Sequence, residues 1–597
     1  MGGAVTLPAS RQETRDNSSR WTLGWSWLAL MGVCFLYAGD AAPGVNEAHY
    51  FVKAKNFWQP DWCANDLFAA SGKAHATYYW LFGWPTRFLS LNATAWAGRL
   101  VGWSLLAAGL LRLTRAMRMP PMSSVWVMIL WILGIQHGNL AGEWVIGGIE
   151  AKVPAYGLVL FGLAEIVQRR WSRGWIWFGA AAGFHVLTGG WSVVAAAIAF
   201  WLAERGPKQW RVSRSIADDR SSGGYQSPGK QSSQDNDVHP LFFSRGLFVG
   251  GALSLFGLIP AAAMSWGATD AEQISAARIY AYFRISHHLM PAAFHFDWYI
   301  RHSILTIGCL GSLAFAWWRM PIAGIKQPKE SATDSSRSEQ AVAFRILGWF
   351  AIGAMTISLV GLLIGLLPAI YPDQAAKLLR FYWFRLADAV TPLVFAFLLT
   401  HFFSPRNNIS TTADQLGSQP FAVVWLGRAG MVAAIVLFAQ ASWERIQTGV
   451  PVSVSNRMLG LNADANYAEQ RRTMEDWVAV CQFIRSSTPE DAVLLTPRHQ
   501  QTFKWYAHRA EVVNWKDTPQ NAVALREWAK RFLEVYPARL STMRVTIRYD
   551  DLRAMRAKYG CDWIVVDRRV VGPELPLVQI YPASNQRNST YAVYELP

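Results

Sequence analysis

Residues 21–39, WTLGWSWLALMGVCFLYAG, run directly into residues 40–66, DAAPGVNEAHYFVKAKNFWQPDWCAND. The first run is apolar and uncharged, long enough as a helix to cross a hydrocarbon core about 30 Å thick. The second is polar and aromatic, and its four carboxylates (Asp40, Glu47, Asp61, Asp66) begin where such a helix must surface. A plain tether between helices needs only solvated residues. This one carries an acidic motif, Asn46-Glu47-Ala48-His49-Tyr50, followed by Trp58, Trp62, Tyr78, Tyr79 and Trp80, a mixture that suits a polar headgroup held at an interface.

Working outward, the 597 residues are 52% hydrophobic with 31 tryptophans. Further apolar runs follow at 93–111, 122–138, 153–168, 175–187, 190–203, 246–266, 302–318, 346–370, 387–403 and 421–442. The expected fold class is a polytopic α-helical membrane protein of about eleven spans. Residues 175–203 read as two short helices broken at Thr188-Gly189-Gly190, because arginines flank both ends of the pair. Lys and Arg are commoner in alternate loops, which places the amino end in the cytoplasm by the positive-inside rule. The expected organisation is a cytoplasmic tail at 1–20, a membrane domain at 21–442 with a first outer loop at 40–92, and a soluble outer domain at 443–597. The location is then the inner (plasma) membrane, with that domain periplasmic and the first span an uncleaved anchor.

The net charge of +16 is spread along the cytoplasmic loops rather than gathered on one surface, so topology accounts for it and nucleic acid is not an expected partner. Five cysteines without CxxC spacing argue against zinc, and buried thiols are expected rather than a Cys481–Cys561 bridge. Residues 204–245 and 319–345 contain cytoplasmic linkers whose polar stretches, 205–244 and 325–342, cannot bury a core. After residue 443 the texture changes. Strand-like runs at 492–496, 511–514, 563–566, 578–581 and 591–594 interleave with helical patterns near 470–486, 519–536 and 549–558, the mark of a small α/β domain. It has no phosphate-cradling glycine loop and no nucleophile elbow, so its expected role is binding or capping.

Other outer segments carry ionisable groups close to apolar helices, where they are costly unless solvated or paired. GEWVIGGIEAKVPAYG places Glu143, Glu150 and Lys152 at the mouth of a span, and a Glu150–Lys152 surface pair is the plain alternative. ARIYAYFRISHHLMPAAFHFDWYIRH supplies Arg284, His287, His288, His295 and Asp297. Adjacent histidines on a helix diverge by about 100°, so a shared metal is not expected. In AAKLLRFYWFRLADAVTPL, Lys377, Arg380 and Arg385 precede a span that contains Asp388. Guanidinium forks suit phosphate oxygens, against which stand headgroup anchoring and an Arg385–Asp388 pair.

This arrangement resembles the GT-C superfamily of multispan membrane glycosyltransferases that use polyprenyl-phosphate-linked sugars, among them protein O-mannosyltransferases, the aminoarabinose transferase and oligosaccharyltransferases. It is also similar to bacterial proteins of this architecture that have no assigned reaction. The likeness rests on the long first outer loop, the Asn46-to-Tyr50 motif, a second-loop acid, the late arginines and the outer domain. It departs from the family where the first acid of the motif is Asn46. The resemblance implies inverting transfer of a sugar to an acceptor hydroxyl, with Glu47 as general base and Asp40 second. It implies that Arg380, Arg385 and Arg284, with Lys152 as a lesser member, bind the lipid phosphate, while Glu150, Glu143, His49 and Tyr50 line the substrate site. Membrane lipids and an unidentified acceptor are the other expected partners. A divalent cation assists some members, but the acids here form no evident ligand set. The rival expectations are a transporter or lipid-handling protein and a non-catalytic scaffold of the same fold.

Overall fold

The computed structural model describes residues 9–205, 244–319, 332–403, 421–451, 455–536, 548–583 and 587–597. Each of the eleven apolar runs lies on a helix: Ala9–Ala38, Leu91–Ala116, Ser123–Gly138, Lys152–Ile166, Trp171–Phe184, Val186–Phe200, Arg245–Ala263, Phe296–Arg319, Ala332–Ile364, Arg385–Phe403 and Phe421–Thr448. Among the described residues, six stretches are long and apolar enough to cross a membrane, namely Trp21–Ala38, Val186–Glu204, Arg245–Ala263, Phe296–Arg319, Arg337–Ala369 and Arg385–Phe403. The Ser123–Gly138 helix is apolar but shorter. Length and hydropathy therefore support six spans outright, fewer than the eleven read from the apolar runs. Most of the first expected linker lies outside the described residues, as do residues 320–331 of the second. Residues 332–342, expected as spacer, instead form the first turns of the Ala332–Ile364 helix.

The pair of short helices near 180 does break, but at His185 rather than at Thr188-Gly189-Gly190. His185 has extended φ/ψ of −144° and 101°, ending one helix and starting the next. Gly189 instead permits close packing, because a Cβ there would sit 2.0 Å from the Ala182 backbone nitrogen, while Gly190 faces open space. A similar approach joins Trp171–Phe184 to Arg245–Ala263, where a Cβ on Gly250 would lie 2.2 Å from the Trp175 carbonyl oxygen. The Arg385–Phe403 helix is the most enclosed of the candidate spans, and Trp131 donates its indole N–H to the Ala389 carbonyl at 2.7 Å to seat it.

At one end of the bundle stands a five-stranded mixed sheet: β1 (Val493–Leu495), β2 (Ala510–Glu511), β3 (Cys561–Asp567), β4 (Gln579–Tyr581) and β5 (Tyr591–Glu595). The order is β2-β1-β3-β5-β4, with β2, β1 and β3 parallel and β5 antiparallel to both β3 and β4. Successive side chains of a strand point to opposite faces. Accordingly Val493 and Leu495 pack with Trp528 and Phe532 of the Ala522–Val535 helix, while Leu494 packs with Trp477, Val480 and Ile484 of the Tyr467–Ser487 helix. Helices thus cover both faces. All five cysteines are buried free thiols, Cys481 and Cys561 included.

Candidate functional site

A cavity of about 580 Å³ lies where the C-terminal α/β region meets the membrane helices. Six stretches of chain build it: the first loop, the 139–152 segment, the helix break at His185, the 261–265 segment, the 280–288 segment and the 377–385 segment, with residues 516–520 of the α/β region as a roof. Its walls carry six cationic side chains, Lys152, Arg284, Lys377, Arg380, Arg385 and Lys516, against two carboxylates, Glu143 and Glu150. That is a formal excess of four positive charges. The histidines do not add to it by default: burial pushes His75 down to about 4 and His288 down to about 3, so both are neutral at pH 7.

The acidic wall is a linked chain of charges. Glu150 accepts from Asn46 Nδ2 at 2.6 Å and from Lys152 Nζ at 2.9 Å, on different oxygens, so each oxygen keeps a lone pair. Burial pushes the Glu150 carboxyl up, but the Lys152 charge and the hydrogen bonds from Lys152 and Asn46 outweigh it and hold the group below its ordinary value. Lys152 Nζ also approaches Glu143 Oε1 to 3.0 Å, and Arg385 Nε lies 3.1 Å from Glu143 Oε2. Glu143 Oε1 and Arg385 Nε nevertheless make no aligned hydrogen bond, so two buried polar atoms stand unsatisfied at the cavity wall. Arg385 Nη1 contacts His185 Nε2 at 2.8 Å. On the other side of the ring Nδ1 caps the next helix, accepting from the Thr188 backbone N–H at 3.2 Å, with Thr188 Oγ1 at 3.0 Å. The expected Arg385–Asp388 pair does not form. Asp388 instead accepts the backbone N–H groups of Leu140 and Ala141 at 2.8 and 2.9 Å, pinning the start of the loop that carries Glu143.

The basic wall is different because its cations lack counter-ions. Arg284 is buried, stacks on Trp515 at 4.9 Å and donates Nε to Thr518 Oγ1 at 2.9 Å. Beside it, Lys516 is half-buried and makes no ion pair or side-chain hydrogen bond among the described residues. Burial first, and the Arg284 charge second, bring the Lys516 ammonium down to about 8. Arg380 and Lys377 line the same wall, also without a carboxylate partner among the described residues.

The two residues expected to act as base are placed elsewhere. Glu47 is fully buried behind the cavity, where Oε1 accepts from Arg99 Nε at 2.7 Å and Ile149 N at 2.8 Å. Its Oε2 accepts from Arg99 Nη2 at 2.7 Å and from the Gly44 backbone N–H. All four acceptor positions are thereby filled, and a Cβ on Gly148 would lie 2.8 Å from Oε1, so the loop closes directly over it. Arg99 does not snorkel to the surface but is wholly buried with Glu47. Asp40 pairs with Arg445 at 3.2 Å, joining the first apolar helix to the last. Of the motif, only Asn46, His49 and Tyr50 reach the cavity.

His49 leads into a second buried cluster that the sequence reading missed. Its Nδ1 lies 3.1 Å from Asp517 Oδ1. Lys504 Nζ then sits 2.7 Å from Asp517, 2.6 Å from Glu511 and 3.2 Å from Asp66, all four groups almost wholly buried. Asp66 comes from the first loop and the others from the α/β region, so this cluster fixes the roof to the loop. The Lys152 ammonium fills the position between Glu143 and Glu150 where a divalent cation would bridge them, so this pair of acids does not fit such an ion. Asp297 pairs with Arg301 rather than with the His287–His288 pair.

Residues 475–535 match a family model described as a domain of unknown function, DUF6798. The match covers the Tyr467–Ser487 helix in part, β1, β2, Lys504, Glu511 and Asp517 of the buried cluster, and the cavity roof. No match is found among curated proteins. Among solved structures, the archaeal oligosaccharyltransferase AglB from Archaeoglobus fulgidus, in complex with an inhibitory peptide and a dolichol-phosphate, is similar at 11% identity and a TM-score of 0.44. The alignment covers 93% of this chain and 70% of that one.

Proposed function

We propose that the protein is an integral-membrane glycosyltransferase whose cavity binds a polyprenyl-phosphate-linked sugar and passes the sugar, with inversion, to an acceptor hydroxyl on the outer face. The observation that carries this reading is Arg284 and Lys516, two adjacent cations at the cavity wall with no ion-pair partner among the described residues. Like charges held together in an enclosed site call for an anion, and phosphate suits a guanidinium fork beside an ammonium. Apolar side chains exposed on the Arg245–Ala263 helix, Phe256 and Ile259 among them, lead to Ala261 and Met264 at the cavity rim, a path for the lipid tail.

On this reading Glu150 takes the part of general base. The acceptor oxygen bonds to the anomeric carbon as the carbon–oxygen bond to phosphate breaks, the hydroxyl proton passes to Glu150, and the bonding pair leaves on the phosphate. Arg284, Lys516 and Arg380 stabilise the charge that develops there. Asn46 and Lys152 keep Glu150 ionised and aimed, and Glu47 supports the motif from behind through Arg99. A second reading, anionic-lipid binding without transfer, is favoured by one feature: the motif residues that reach the cavity, Asn46, His49 and Tyr50, include no carboxylate. Purified protein incubated with radiolabelled polyprenyl-phosphate sugars and membrane extract separates the two. Transfer abolished by Glu150→Gln with donor binding kept supports the enzyme, whereas binding without any transfer by the wild type supports the second reading.

A further inference from the structure

The opposite end of the bundle holds a second cavity, of about 690 Å³. It lies by the amino-terminal turns of the first apolar helix and the last turns of Leu91–Ala116. Arg112 is thirteen residues from the Glu47-bound Arg99 on that helix, hence about 20 Å along its axis. Among the described residues, four arginines line it, Arg112, Arg115, Arg118 and Arg170, and no carboxylate does. Two carboxylates act from behind: Glu165, fully buried, pairs with Arg112 and with Arg170, and Glu339 pairs with Arg118. Arg115 has no ion pair or hydrogen-bond partner from its side chain among the described residues and is exposed. The four guanidiniums and two carboxylates leave a formal excess of two positive charges around one concavity.

The remaining wall is apolar. Leu23, Trp27, Leu111 and Phe161 line it, and the Arg112 guanidinium stands 5.7 Å over the Phe161 ring. On the same first helix, Trp25 and Leu28 are exposed large side chains facing outward. A charged rim over an apolar wall matches a molecule with an anionic head and acyl chains, not a free solute.

We infer that this cavity binds an anionic glycerophospholipid of the leaflet on the amino-terminal side, its phosphodiester held by Arg115 and Arg118 and its chains against Trp27 and Phe161. The site is separate from the outer cavity and does not depend on the transferase reading. The test uses the full-length protein in vesicles of phosphatidylglycerol and phosphatidylcholine in equal parts, extracted gently and weighed by native mass spectrometry. Wild type is expected to retain phosphatidylglycerol over phosphatidylcholine. Arg115→Glu is expected to lower the occupancy of one bound phosphatidylglycerol by about tenfold or more. Arg173→Glu, a neighbouring exposed arginine outside the cavity, and Lys516→Met at the outer cavity should leave that lipid in place. Excess inorganic phosphate should not displace it. Retention unchanged in Arg115→Glu, equal loss in Arg173→Glu, equal retention of phosphatidylcholine, or displacement by phosphate would each overturn the proposal. Should Arg115→Glu express poorly, Arg115→Ala read the same way supplies the answer.

Discussion

The two glutamates that the sequence set side by side as site candidates do different work. Glu47 shares all its acceptor positions among Arg99, Ile149 and Gly44, with no edge turned to the cavity. Glu47→Gln keeps the shape but leaves Arg99 buried without its counter-charge, at a cost of about 3–5 kcal/mol. A clear fall in melting temperature in detergent is the expected result. Glu150→Gln removes one of the two carboxylates paired with Lys152, which keeps Glu143, so it should lower the melting temperature less than Glu47→Gln and should lower transfer by about 10²- to 10⁴-fold. Lys516 supplies a pH test. Its ammonium is charged below about 8 and loses its proton as pH rises through that value, so affinity for an anionic lipid should be full at pH 7 and fall above pH 8. Lys516→Met should bind more weakly and flatten that profile in a titration of bound lipid. The motif Asn46 to Tyr50 was legible as a cluster. What spacing could not show was that Arg99, fifty-two positions after Glu47, fills the glutamate and turns Asn46 to the cavity instead.

At the scale of elements, the cavity depends on how the roof is fastened. Residues 516–520 reach over the membrane helices only because Asp517 is tied to His49 and Lys504, and Lys504 in turn to Asp66 and Glu511. Lys504→Met would leave three carboxylates buried around an apolar side chain. Such a change is expected to loosen the roof from the first loop, seen as faster amide exchange in residues 60–70 and 510–520 while the Leu91–Ala116 helix keeps its protection. The strand and helix runs of the α/β region were legible from periodicity, since its side chains alternate between two covered faces. The Lys504 cluster was not: Asp66 is far from the other members in sequence, and a strand-like run at 511–514 within KWYAHRAEVVNWKD does not show that Lys504, Glu511 and Asp517 meet it. The break at His185 was misplaced for a related reason. Gly189, one of the two glycines that suggested a break, serves close helix packing, and the break falls on a residue whose ring is held by Thr188 and Arg385.

For the whole molecule, the two charged cavities lie at opposite ends of the helices, and the account requires them to face opposite sides of the bilayer. An impermeant thiol reagent added to sealed, right-side-out vesicles should label a cysteine placed at the exposed Glu490 and leave one at the exposed Arg173 unlabelled until the membrane is opened. The five native cysteines are buried and should stay silent. Membrane character was legible from composition alone, but the number of spans was not, because several apolar runs form helices too short or too mixed to cross on their own. The central claim is that the outer cavity transfers a sugar from a lipid phosphate through Glu150. Its most direct test is label transfer from radiolabelled polyprenyl-phosphate sugars by purified wild-type and Glu150→Gln proteins, each assayed below its melting temperature. The account predicts transfer by the wild type and its near-complete loss in Glu150→Gln, with donor binding retained; transfer that survives Glu150→Gln undiminished would contradict it.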